Sequence, residues 1–178
     1  ARATVLPNDR LRDGDTRWGY SLQHTGTVGT GLSAVGNLGL NVNLNRVSDN
    51  QYWRDFPRTG LSFTDRLLPS DVMLNWARGD FSLLARTLKW QTLQDPASPI
   101  VPPYDRLPQI QGRYTRSNWN GLDLLAEADY TGFRADRSLT RQPNGQRAYL
   151  LAQASYPWVR PGGFITPTVK LHTTRYQF

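Results

Sequence analysis

The chain has 178 residues, of which 38% are hydrophobic and 20% charged, and its formal net charge is +7 at pH 7. No apolar run approaches the roughly 20 residues that a transmembrane helix needs, which excludes a helical membrane protein. The sequence has no cysteine, which excludes a disulfide framework or a thiolate metal site within it.

Arginine supplies almost all of the positive charge, since Lys89 and Lys170 are the only lysines. The guanidinium group binds phosphate through two parallel hydrogen bonds. This favours nucleic acid, an anionic membrane surface or a phosphorylated glycolipid as a partner. An arginine-rich genome would give the same composition, and acidic residues are interspersed, so charge alone leaves the partner open.

The clearest predicted strand lies at residues 37–45, where apolar and polar residues alternate strictly. Successive side chains of a strand point to opposite faces of a sheet. The apolar row is Leu38, Leu40, Val42 and Leu44, and the opposite row contains Asn41, Asn43 and Asn45. Uncharged amides suit confined water or a polar ligand, so we interpret the second row as facing a hydrated interior.

The same alternation predicts about eight strands in all. In chain order they lie at residues 16–25, 37–45, 68–77, 81–93, 107–116, 121–133, 146–156 and 164–178. Most approach the roughly 9 to 11 residues that a tilted strand needs to cross a bilayer, against roughly 5 to 6 in soluble sheets. The fold class predicted is therefore all-β, as part of an antiparallel up-and-down transmembrane β-barrel.

The predicted connections alternate in length. Short turns lie at residues 26–31, 77–80, 116–121 and 157–163, and long polar loops at 46–67, 94–106 and 132–145. Outer-membrane barrels have short periplasmic turns and longer extracellular loops. Both ends of the eight strands would then lie outside the cell, so we expect residues 1–178 to be an internal slice of a larger barrel.

Aromatic residues at the strand ends predict two interfacial girdles. Those beside the long loops are Trp18, Trp90, Tyr130 and Tyr176, and those beside the short turns include Trp76 and Tyr156. Aromatic residues also lie at strand ends in other β-proteins, so this observation supports the membrane prediction without proving it.

Three carboxylates, Asp123, Glu127 and Asp129, project from the polar face of the strand at residues 121–133. Pairing with Arg113 or Arg147 on neighbouring strands is the favoured interpretation. A cation site or a contact with a plug protein is second, and general acid and base catalysis is least favoured. No nucleophile motif accompanies the two histidines, His24 and His172, so no catalytic residue and no metal site is predicted.

Five stretches resemble the LptD family of lipopolysaccharide-assembly proteins, also called organic solvent tolerance proteins. In order they are LPND at 6–9, RWGYSLQHTG at 17–26, NVNLNRVSDNQYWRDF at 41–56, LPQIQGRY at 107–114 and VKLHTTRYQF at 169–178. The most specific element lies in residues 47–56, here called the motif loop, and consists of Val47, Ser48, Asp49, Tyr52, Asp55 and Phe56. From the residues alone, Asp49 and Asp55 are also suited to capping turns.

The resemblance implies a very large barrel of about 26 strands, of which this chain would supply about a third. It further implies a periplasmic jelly-roll domain outside this chain, an LptE-like plug lipoprotein, and transfer of lipopolysaccharide from a periplasmic bridge protein to the outer leaflet. The outer membrane of a Gram-negative bacterium is the implied location. A cofactor is not expected, and the family's disulfide-forming cysteines are absent from this sequence.

Two other functional classes compete with a lipopolysaccharide translocon. One is a general porin or another outer-membrane channel, and the other is a soluble secreted β-sandwich that binds an anionic partner. Detergent dependence would separate the sandwich from the two membrane proteins.

Overall fold

The computed structural model describes residues 1–33, 35–56 and 66–178, so part of the predicted loop 46–67 lies outside the described residues. The strands are β1 (Arg2–Asp9), β2 (Asp15–Gly29), β3 (Asn37–Val47), β4 (Leu67–Arg78), β5 (Phe81–Thr92), β6 (Asp105–Trp119), β7 (Leu122–Arg134), β8 (Gly145–Ser155), β9 (Trp158–Arg160), β10 (Gly163–Ile165) and β11 (Thr168–Gln177). A 3₁₀ turn (Arg10–Arg12) follows β1, and a short helix α1 (Tyr52–Asp55) lies in the motif loop.

Nine strands form one antiparallel sheet in the order β1-β2-β3-β4-β5-β6-β7-β8-β11. Each strand pairs with its neighbour in sequence, apart from the β9–β10 hairpin inserted before β11. The all-β, up-and-down prediction is therefore confirmed. The sheet is open, with β1 and β11 at its edges, and no second sheet packs on it within the described residues, which is unlike a sandwich.

Strand β1 was not predicted. Its alternation is weak and it contains Pro7, which is tolerated at a sheet edge because an edge strand leaves one side of its backbone unpaired. Pairing with β2, with Val5 opposite Trp18, establishes it as a strand. The first and last of the eight predicted strands, β2 and β11, do begin and end at the same, long-loop end of the sheet. The ninth strand β1 begins at the opposite end, so the expectation that both ends of the chain lie on one side is wrong.

The predicted short turn 157–163 and the start of the predicted strand 164–178 are also corrected. Residues 158–165 form a separate hairpin, in which Trp158 pairs with Ile165 and Arg160 with Gly163. Pro157, Pro161 and Pro167 cannot donate to a sheet ladder, which explains why the main sheet resumes only at Thr168.

The strand register assigns the side chains to two faces. Leu44 pairs with Leu22 and Ser70, and Val42 with His24 and Val72, on what we call the apolar face. Asn41, Asn43 and Asn45 lie on the other, which we call the polar face. In the nine-stranded sheet, every charged side chain on the apolar face lies within three residues of a strand end. The polar face carries charge at mid-strand.

The described helices are too short and too polar to cross a membrane.

Candidate functional site

The three asparagines of β3 do not have equal roles. The side chain of Asn45 is buried, and its amide donates to Asn43 Oδ1 at 2.8 Å and to the Pro69 carbonyl at 3.0 Å. Asn41 and Asn43 line a depression of about 230 Å³ together with Gln23 and Asp71. Asn45 therefore links β3 to β4 through the Pro69 carbonyl. Asn41 and Asn43 present amide groups to the depression on the polar face.

Asp129 is the centre of the second polar cluster. Its carboxylate accepts from Arg147 Nη2 at 2.8 Å, from Gln109 Nε2 at 3.1 Å and from Thr131 Oγ1 at 2.9 Å. This is the arginine pairing that the sequence favoured. Because Asp129 is buried and triply hydrogen-bonded, its charge is balanced within the sheet.

The other two carboxylates lie in different surroundings. Glu127 is opposite Arg113 in the register, but it accepts from Gln111 Nε2 at 3.1 Å. Asp123 accepts from the backbone N–H of Asn118 at 2.9 Å, within the tight β6–β7 turn. Asp123, the second residue of β7, thus stabilises the turn, and its expected partnership with a lumen arginine is not observed among the described contacts.

Asp129 and Glu127, but not Asp123, line a depression of about 410 Å³ on the polar face, between β6 and β11. Its lining is made almost entirely of amide, carboxylate, guanidinium and hydroxyl groups: Gln109, Gln111, Glu127, Asp129, Arg147, Tyr149, Thr174 and Tyr176. Such a mixture of donors and acceptors suits sugar hydroxyls or a polar protein surface.

A further ion pair on the polar face was missed by the sequence reasoning. Arg86 donates from Nε and Nη2 to the two carboxylate oxygens of Asp71 at 2.8 and 2.7 Å. The two residues are 15 positions apart, on strands that meet in a two-residue turn. The residues at 81–93 are apolar in both rows, so the sequence left the register of β5 uncertain and the pair could not be predicted.

The motif loop is organised by Arg17, whose side chain is only 4% exposed. Its Nε and Nη2 donate to the two oxygens of Asp49 at 2.9 and 2.8 Å. Its Nη1 donates to Asp55 at 2.8 Å and to Asp9 at 3.3 Å. One guanidinium therefore joins the end of β1, the start of β2 and both ends of the motif loop.

Aromatic packing completes this cluster. The guanidinium carbon of Arg17 lies 4.8 Å from the ring centre of Phe56 and 5.6 Å from that of Tyr52, within cation–π range. Tyr52 is buried with Val47, Leu68 and Leu93 in the small core beneath the loop. The motif residues thus form one packed unit, and the turn-capping role is also present, since Asp49 accepts from the N–H of Gln51.

Arg17 and Asp9 were not singled out as site residues. Both residues lie in stretches that resemble the family, and this resemblance could have drawn attention to them. The contacts that join Asp9 to Asp49 through Arg17 form only in the tertiary structure.

Two groups of the motif loop have shifted pKa values. Burial opposes ionisation of Asp49, but hydrogen bonds from Arg17 and Ser48 outweigh it and hold the pKa of this carboxyl below its ordinary value. Burial raises the pKa of the Tyr52 phenol above its ordinary value. At neutral pH the cluster therefore contains an ionised Asp49 and a neutral Tyr52.

The predicted interface aromatics divide between the faces. Trp18, Trp76 and Tyr130 lie on the apolar face, and Trp18 stacks on Tyr20 with ring centres 5.9 Å apart. Tyr156, just beyond β8, covers Gly121 in the β6–β7 turn. Trp90 and Tyr176 pair with Pro69 and Arg147 on the polar face, which differs from the expected girdle.

His24 and His172 lie on opposite faces of the sheet by register, so they cannot act together. No group of three or more His, Asp or Glu side chains in the described part of the chain is arranged to hold a metal ion.

Comparisons with known proteins agree on one family. The family model described as "LptD: LPS transport system D" matches residues 15–178. The chain is 57% identical to the LPS-assembly protein LptD of a Polaromonas species, 53% identical to that of an Acidovorax species and 43% identical to that of Cupriavidus pinatubonensis. Each match covers 99% of this chain and 21 to 22% of the relative. The chain therefore spans about a fifth of the length of the curated relatives it matches.

Proposed function

Because this chain belongs to the LptD family, we propose that it forms part of the wall of an outer-membrane β-barrel that delivers lipopolysaccharide to the outer leaflet of a Gram-negative bacterium. The role is transport and assembly rather than catalysis.

The observation that carries this proposal is the separation of charge between the two faces of one long-stranded sheet. A lipid-facing surface excludes charge at the bilayer midplane, where an arginine or lysine costs about 2 to 4 kcal/mol. Mid-strand residues on the apolar face are Leu, Val, Ala, Ile and other uncharged types, whereas the polar face carries Asp71, Arg86, Glu127 and Asp129 at mid-strand. The apolar face meets acyl chains and the polar face lines the lumen.

The lumen wall offers two surfaces to its contents. The depressions at Asn41 and Asn43 and around Asp129 supply amides, hydroxyls and balanced charges. Groups of this kind bind the sugars of lipopolysaccharide weakly and reversibly, as a passage requires, or pack against a plug lipoprotein of the LptE type. Contact with a periplasmic bridge protein belongs to a domain outside this chain.

The orientation follows from the loops. The longer connections, including the motif loop, lie on the extracellular side, and the two-residue turns after β4 and β6 lie on the periplasmic side. The buried Arg17 cluster then closes the extracellular end of β1 to β3.

The decisive experiment replaces the two asparagines that line the depression in the full-length protein, as Asn41→Leu with Asn43→Leu. Removing the donors and acceptors should reduce the lipopolysaccharide exposed at the cell surface per folded barrel. The signal is normalised to folded barrel because Asn43→Leu also removes the acceptor of the 2.8 Å hydrogen bond from Asn45. Val42→Leu, on the apolar face of the same strand, is the matched control. Surface lipopolysaccharide equal to the wild type in the double variant would reject the lumen role of this row.

Copurification tests the partner and separates the translocon from a porin. The full-length protein extracted in mild detergent should retain a plug lipoprotein. A barrel that conducts small solutes without such a partner, and whose depletion leaves surface lipopolysaccharide intact, would be a general channel instead.

A further inference from the structure

Basic residues form a rim on the apolar face at the end of the sheet that carries the long loops. The rim consists of Arg46, Lys89, Arg134 and Arg175, from β3, β5, β7 and β11. Register places Arg46 beside Tyr20, Lys89 beside Ser70 and Arg175 beside Ala148. Between this rim and the opposite end of the sheet, the apolar face carries no charged side chain in the described strands until Arg78 and Arg116.

The rim side chains are exposed, and none of the four forms a hydrogen bond or an ion pair with any residue of the described ranges 1–33, 35–56 and 66–178. Asp105 lies opposite Arg134, interacts electrostatically with Lys89 and Asp136, and accepts from the N–H of Trp90. Two carboxylates in this region do not balance four cations.

The opposite end of the same face is different. Arg116 lies 3.8 Å from Asp80, and Arg78 donates to the Ser33 carbonyl at 3.3 Å. Both arginines there have partners within the chain. On the apolar face of the described strands, the cations without a hydrogen-bond or ion-pair partner therefore all lie at the long-loop end.

A depression lined by both polar and apolar groups lies within the rim. It has a volume of about 200 Å³, and its lining includes Tyr130, Arg134, Gln146, Gln177 and Phe178. The first four of these share the apolar face by register, and the Tyr130 hydroxyl donates to Gln146 Oε1 at 3.0 Å. Amide groups and a guanidinium beside aromatic rings can hold a phosphate and the sugar that carries it.

From these observations we infer that the rim is a binding surface for phosphorylated glycolipid headgroups of the surrounding leaflet, with the depression between β7 and β11 as its main seat. Acyl chains lie on the apolar face below, and the phosphates meet Arg134 and Arg175. The ligand is a boundary lipid outside the wall and not the molecule in transit through the lumen. The inference rests on the proposed function for the orientation of the sheet in the membrane.

The test uses the full-length protein with its natural partners in mild detergent, and native mass spectrometry counts bound lipid. The probe is a bisphosphorylated glycolipid, compared with the same lipid after removal of its phosphates. The wild type should prefer the phosphorylated form. Arg134→Gln with Arg175→Gln should lose most of this preference, since each cation near an anionic headgroup strengthens binding by about fivefold.

The matched control removes two arginines from the other end of the same face, as Arg78→Gln with Arg116→Gln, and should keep the wild-type preference. Arg134→Lys with Arg175→Lys should keep part of it, because the charge remains. An unchanged preference in the Arg134→Gln, Arg175→Gln protein, or an equal loss in the control, would overturn the inference.

Cellular delivery separates this inference from the proposed function. The rim variants should still place lipopolysaccharide at the cell surface, because the lumen is unchanged. If depletion of the wild-type protein leaves surface lipopolysaccharide intact, the proposed function fails. The lipid preference is measured on the purified protein and does not depend on that cellular result.

Discussion

At the scale of single residues, Arg17 has the most concentrated set of interactions in the described chain. It is buried and contacts three carboxylates, and two aromatic rings pack against it. Removing one partner of a buried ion pair is costly because it leaves charge without compensation in a poorly solvated place. The positions of the motif residues therefore depend on one another through Arg17, which lies outside the motif loop.

Arg17→Met should open the motif loop. Loss of a buried ion pair costs about 3 to 5 kcal/mol, and hydrogen exchange of residues 48–56 in the full-length protein measures the local opening free energy. Arg116→Met is the control, since its exposed contact with Asp80 is worth about 0 to 1 kcal/mol. Equal exchange rates in the two variants would contradict the central role of Arg17.

The depressed pKa of Asp49 predicts a dependence on acid. A carboxyl whose pKa is lower in the folded loop than in the open loop stabilises the fold fully above its ordinary pKa of about 4. That contribution is lost as the pH falls through the lowered pKa. Hydrogen exchange of the motif loop, corrected for its intrinsic pH dependence, should be constant from pH 8 to about 5 and rise in stronger acid.

Asp49→Asn removes the charge that titrates and should weaken the loop at neutral pH while reducing its response to acid. An acid response as large in this variant as in the wild type would assign the transition to another carboxyl.

At the scale of elements, the strands were predicted well where the period of two was strong. The predicted strands at 37–45, 121–133 and 146–156 correspond to β3, β7 and β8 within two residues at each end. The β6–β7 pair has an irregular register, which the periodicity of the sequence could not predict. Its register shifts between Arg106 and Gln109, where the β7 backbone at Gly132 approaches Leu107 closely.

Gly132→Ala should disturb the β6–β7 pair. An added Cβ would lie 2.6 Å from the carbonyl oxygen of Leu107, a backbone atom that cannot rotate away. We expect a cost of about 1 to 3 kcal/mol, measured as a smaller fraction of full-length protein in the compact, heat-modifiable form.

Gly112→Ala is the control for this substitution, because the nearest atom to its Cβ is Leu83 Cδ1 at 4.0 Å. If both alanine variants fold to the same extent, the close approach at Gly132 does not limit the pairing of β6 with β7.

At the scale of the whole molecule, the main sheet has nine strands, two open edges and two chemically different faces. Open edges present unpaired backbone groups, which a bilayer does not tolerate. Further strands of a larger barrel, as proposed above, would pair them.

Adjacent leucines on β8 test the two faces directly. Leu150 lies on the apolar face opposite Ala128, and Leu151 lies on the polar face opposite Glu127. In the full-length protein in membranes, Leu151→Cys should react with a water-soluble maleimide above the background of the parent protein. Leu150→Cys should react poorly.

A fluorophore attached at Leu150→Cys with a membrane-permeant reagent should be quenched by brominated lipid, and one at Leu151→Cys should not. The same reactivity and quenching at both positions would contradict the division into a lipid-facing and a lumen-facing surface.

The sequence by itself determined the strands in which the period of two is strong, the composition of the two faces and the resemblance to the family. These depend on residues close together in the chain, because backbone pleating imposes a period of two wherever a strand forms. Only the tertiary structure decided that Arg17 joins Asp9, Asp49 and Asp55, that Asp123 closes a turn, and that β1 adds a ninth strand. Those outcomes depend on strand pairing and on contacts between residues up to 38 positions apart in the case of Arg17. No local pattern encodes such contacts, since they form only when the sheet brings distant segments together.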